Sequence, residues 1–66
     1  MTVYFETDSA KQLIGEFESI ESVNRAIYEY CEQQGIKIDY IRSWTEEDNT
    51  IVYDIGSHFN FFLIKP

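Results

Sequence analysis

Only one stretch of this chain carries a strong 3.6-residue hydrophobic period. Ile20, Val23, Ile27, Tyr30 and Cys31 recur at spacings that place them on one face of a helix. A chain with a single such segment, and strand-like sequence on both sides of it, has one helix to lay against a sheet. The segment is bounded at both ends. Ser19 suits the N-cap, where its hydroxyl accepts a free backbone N–H, and Glu21 in the first turn favours the positive end of the helix dipole. Gly35 suits the left-handed position after the last turn, with Ile36 placed to pack back on it. The helix is expected over residues 20–34, with Glu21 and Arg25 forming an exposed i, i+4 ion pair.

The rest of the chain alternates apolar and polar residues and is rich in β-branched and aromatic types, the pattern of strands. Strands near 2–6 and 11–17 flank Thr7-Asp8-Ser9-Ala10, a polar stretch of hairpin-loop length. After the helix, 36–44 alternates as Ile36, Ile38, Tyr40 and Trp44, with Arg42 the polar exception. Thr45-Glu46-Glu47-Asp48-Asn49 makes an acidic turn. Strands near 50–55 and 58–64 are joined by Gly56-Ser57, read as a two-residue type II′ turn. The expected order is ββαβββ, an α+β domain spanning 1–66 in which a mainly antiparallel sheet carries one helix on one face.

Separating each strand by parity predicts a helix-facing core of Val3, Phe5, Leu13, Phe17, Ile36, Ile38, Tyr40, Ile51, Tyr53, Ile55, Phe59, Phe61 and Leu63. The opposite parity keeps Tyr4, Ile14, Ile41, Val52, Phe62 and Ile64 among polar neighbours. One helix covers one face. These six residues are either ordinary exposed scatter or an apolar stripe that marks an interface, a homodimer by sheet stacking included.

The chain has 66 residues, 44% of them apolar or aromatic, too many for an acidic disordered tail yet few for a generous core. Its net charge is −7, from twelve acidic and five basic residues. Lys11, Arg25, Lys37, Arg42 and Lys65 are scattered, which argues against direct nucleic-acid binding. A single cysteine makes no internal disulfide, and the opening Met1-Thr2-Val3-Tyr4-Phe5-Glu6 has neither a basic n-region nor a long apolar run. A cytoplasmic protein with no membrane span is expected.

No sequence signature for catalysis, metal or cofactor survives scrutiny. Asp54, Ser57 and His58 crowd one hairpin turn, with no oxyanion site to complete a triad. One His and one Cys fall short of a zinc ligand set. Glu46-Glu47-Asp48-Asn49 lacks the alternating ligands and central Gly of a calcium loop, and no glycine-rich strand-to-helix turn cradles phosphate. Cys31 sits on the apolar helix stripe and reads as a small core hydrophobe.

What remains is carboxylate surface: Glu21, Glu29 and Glu32 on the helix, Glu46, Glu47 and Asp48 in the turn. High charge serves solubility, and on a rigid face it also suits a basic groove of another protein. The C-terminal run Asp54-Ile55-Gly56-Ser57-His58-Phe59-Asn60-Phe61-Phe62-Leu63-Ile64 resembles small uncharacterised proteins of Gram-positive phages and prophages. That resemblance implies an accessory protein in the cytoplasm of a host bacterium, binding a host protein, and supplies no functional residues. The expectation is a non-enzymatic interaction module with an acidic binding surface for a basic host protein. The alternative is a homodimeric assembly protein that associates through the open sheet face.

Overall fold

The computed structural model describes residues 1–56 and 60–66. Its elements are β1 (Thr2–Glu6), β2 (Lys11–Glu16), α1 (Ile20–Gln34), β3 (Arg42–Thr45), β4 (Ile51–Asp54) and β5 (Phe61–Lys65). The fold is α+β, with five strands in the order β2-β1-β5-β4-β3 and every neighbouring pair antiparallel.

The helix begins and ends on the expected residues. Ser19 is extended and its hydroxyl accepts the Ser22 N–H at 3.2 Å, which satisfies one of the free donors of the first turn. Gly35 lies at φ 68°, its N–H donates to the Glu32 carbonyl, and the Ile36 N–H donates to that of Cys31 at 2.8 Å. These two bonds form a Schellman motif, and Ile36 packs back on the core as that motif favours. The expected Glu21–Arg25 ion pair is not among the ion pairs of the described residues. Two long exposed side chains gain too little Coulomb energy in water to repay fixing them.

The strand order explains the largest departure from expectation. The helix joins β2 to β3, and these are the two opposite edges of the sheet. A sheet of this width is about 19 Å across at roughly 4.8 Å per strand, and the 15-residue helix is about 22 Å long. Residues 36–41 connect the helix end to β3 at the far edge, and only Arg42–Thr45 pairs as a strand. Alternation over 36–44 was real, but Ile36 and Ile38 use it to tuck under the helix end without ladder bonds.

Both hairpin loops with described residues are held by their own side chains. The Thr7 hydroxyl accepts from the Ser9 and Ala10 N–H groups, and the Thr7 N–H donates to the Ala10 carbonyl at 2.8 Å. In the acidic turn the Glu46 N–H bonds the Thr50 carbonyl and the Asn49 N–H bonds that of Glu46, with Asn49 at φ 69°. That is a three-residue loop closed by a left-handed residue. A bond from the Thr50 hydroxyl, and after it one from the Thr50 N–H at 3.0 Å, hold the Asp48 carboxyl below the usual range.

The β4–β5 connection differs from the two-residue turn expected at Gly56-Ser57. Such a turn would set Asp54 opposite Phe59, whereas the ladder sets Asp54 opposite Phe61. Ile55 and Gly56 lie beyond the end of β4, and β5 begins at Phe61 rather than 58. Residues 57–59 of the expected turn and strand lie outside the described residues.

The core lies between the helix and one sheet face. Val3 and Phe5 of β1, Phe62 and Ile64 of β5, and Ile55 meet Val23, Ile27 and Cys31 of the helix. Phe5 packs on Phe62 with ring centroids 4.9 Å apart, and Tyr30 caps both rings at 5.1 and 6.0 Å. Each fully buried side chain of this size contributes about 1.5–3 kcal/mol of transfer free energy. Burial pushes the Cys31 thiol above its ordinary pKa, as a core hydrophobe requires. Among the described residues no helix is long and apolar enough to cross a membrane.

Candidate interaction surface

Residues paired directly across antiparallel strands project to the same face, so the register assigns every side chain a side. Phe5 pairs with Phe62, and Phe62 with Tyr53, which makes this row the helix side. Tyr4 pairs with Leu63 and with Leu13, Leu63 with Val52, and Val52 with Trp44. Leu13, Tyr4, Leu63, Val52 and Trp44 thus form one unbroken apolar row across all five strands, on the face away from the helix.

The row is continuous and open. Leu13 is 58% and Trp44 42% exposed, Tyr4 and Leu63 are half-buried, and Val52, flanked by Trp44 and Leu63, is 3% exposed. Phe61 stands beside it, edge-on to Trp44 with centroids 6.3 Å apart. Trp44, Val52, Phe61 and Leu63 line a shallow hollow rimmed by Glu6 and Glu46. Five apolar side chains in contact register, bordered by charges, are the form an interface takes on a small domain.

This row corrects the membership expected from parity. Of the six residues assigned to the open face, Tyr4 and Val52 lie there. Phe62 and Ile64 do not: they are 0% and 1% exposed and belong to the core. Ile14 packs on the core because the β1–β2 register slips between Val3 and Tyr4, a bulge that inserts Ile14 and sends Leu13 to the open face. Ile41 precedes β3 and lines a 220 Å³ groove on the helix side with Ile27, Tyr28 and Tyr53. Conversely Leu13, Phe61 and Leu63, expected in the core, face outward, and Tyr40 is exposed.

Charged residues border the row on both sides. On one side stand Lys11, Glu6, Asp54 and Arg42, with Phe61 among them; on the other stand Glu16, Thr2, Lys65, Thr50 and Glu46. Asp54 is fully buried, and its carboxylate accepts from the Arg42 guanidinium at 2.5 Å and from the Gly56 N–H at 3.0 Å. The bond to Asp54 holds the Arg42 pKa above its ordinary value. Lys11 lies 4.8 Å from the Tyr4 ring centroid, a cation on the end of the apolar row.

The six carboxylates do not form one patch. Glu21 and the turn residues Glu46, Glu47 and Asp48 lie at the sheet end where the helix begins, since Glu16 and Thr45 occupy that end of the register. Glu29 and Glu32 lie toward the other end, Glu32 about 16 Å along the axis from Glu21. Asp48 also sits 3.7 Å from Lys65. Ser57 and His58 of the triad considered from sequence fall outside the described residues.

Comparison with other proteins leaves the geometry to speak for itself: no known protein family, no curated protein and no solved structure matches this chain.

Proposed function

We propose that this chain is a non-enzymatic protein-interaction module that works through the open face of its sheet. The observation that carries this reading is the row Leu13, Tyr4, Leu63, Val52, Trp44, apolar in every strand and overlaid by no helix or strand among the described residues. A 66-residue domain gains stability from covering such a face. The test is a photo-cross-linking residue placed at Leu63, and separately at Glu29, in cells that produce the protein. Adducts to protein from position 63 and not from 29 are the expected result. Adducts from 29 alone would turn the assignment to the helix surface.

A second reading has its own observation. Glu21, Glu29 and Glu32 are all exposed on the outside of the helix, where only Arg25 opposes them. This suits a basic partner, and it agrees with the phage or prophage setting that the C-terminal pattern implies, in which a host protein would be the target. Reversing charge at Glu29 and Glu32 together would then abolish binding and its salt sensitivity; unchanged binding sinks this version.

A further inference from the structure

The charges that border the apolar row choose its occupant. Three of the five cations, Lys11, Arg42 and Lys65, stand on the open face, although the chain as a whole is strongly acidic. Set against Glu6, Glu16, Asp54, Glu46 and the Asp48 beside Lys65, they leave this face with a small negative excess, while most of the net negative charge lies on the helix and the loops. A face that is apolar along its middle and carries both signs at its rims meets a second copy with less repulsion than net charge would impose elsewhere.

The arrangement also selects one way of stacking. Two sheets meeting face to face about a twofold axis have two simple options, and they differ in which rim residues meet. With the axis along the strands, Lys11 would face Arg42 of the other copy, Glu16 would face Glu46, and Lys65 would face Lys65. Every one of these is a like-charge pair. With the axis along the apolar row, the two rims exchange places: Lys11 faces Glu16, Arg42 faces Glu46, Glu6 faces Thr2 and Phe61 faces the Lys65 stem. Opposite charges then meet at both ends of the row, and each apolar residue lies against its own copy.

We propose that the open face binds a second copy of this chain, about a twofold axis running along Leu13, Tyr4, Leu63, Val52 and Trp44. The product is a four-layer dimer, helix, sheet, sheet, helix, with aligned strands and the acidic helices turned outward. This rests on the reading of the open face as the interaction surface and names its partner.

The test uses Lys11 and Glu16, exposed residues of edge strand β2 that carry no part of the core. Sedimentation equilibrium of the purified chain across a dilution series gives the dimer constant for wild type, Lys11→Glu, Glu16→Lys and the double variant. Each single change turns two symmetry-related attractive pairs into repulsive ones, and is expected to weaken the dimer roughly ten-fold. The double variant restores the pairs in reverse and returns to wild-type affinity. If net charge alone governed association, Glu16→Lys would tighten the dimer, and that result overturns the proposal. So does a double variant as weak as the worse single. A wild type that stays monomeric throughout also overturns self-association, while the cross-link from position 63 to a different protein still decides the broader reading separately.

Discussion

A Cβ built on Gly35 meets no atom within 4 Å, yet the residue sits at φ 68°. The cost of Gly35→Ala is therefore backbone strain alone, about 1 kcal/mol, and a thermal melt should show a lowered Tm with unchanged helix content below it. Phe62 is a sharper test of how the strands face. As a core residue under Phe5 and Tyr30, its replacement by Ala costs about 3–5 kcal/mol, enough to unfold a domain this small. Had it stood on the open face, as its parity suggested, the loss would be near 1 kcal/mol or less. Cys31, buried with a raised pKa, stays protonated and should resist iodoacetamide in the native state at neutral pH, reacting only under denaturant. Because its folded pKa lies above the unfolded one, its contribution to stability is complete below the unfolded value and is lost as pH rises through the folded value.

Among the elements, the helix was fully legible because its signals are local: a stripe within 12 residues, a hydroxyl cap and a left-handed glycine. The sheet faces were not, because parity within one strand does not say which parity faces the core. Two residues of β4 and β5 that pair across an even-length loop always have opposite parity, which puts Phe62 with Tyr53 and Leu63 with Val52. That signal was present in the hairpin itself. The bulge at Ile14 and the edge-to-edge path of residues 36–41 were not visible, since both follow from a strand order that no local pattern encodes. The acidic turn makes its own prediction. Hydrogen bonds from Thr50 lower the Asp48 pKa, so its contribution is fully present above the unfolded carboxylate value and disappears as pH falls through the lower, folded one. Asp48→Asn should flatten the acid limb of a Tm-versus-pH curve by lowering Tm at neutral pH, with little change at pH below the folded carboxylate value.

At the scale of the molecule, the helix divides the surface by character. Its outer side carries Glu21, Glu29 and Glu32, and the sheet face opposite carries an apolar row that crosses every strand. The candidate site was therefore half legible. Tyr4 and Val52 were placed by sequence, whereas Leu13, Leu63 and Trp44 emerge only when the register joins β2 to β3 through the centre of the sheet. Trp44 gives the most direct measurement, because it is the only tryptophan in the chain, lies at one end of the row, and is 42% exposed in the single copy. Its emission should be followed from concentrated to dilute protein at constant salt. The account predicts a maximum that moves to longer wavelength on dilution, with loss of helical signal absent, as the two faces separate and water reaches the indole. An emission maximum that stays at the same long wavelength over the whole range would contradict it.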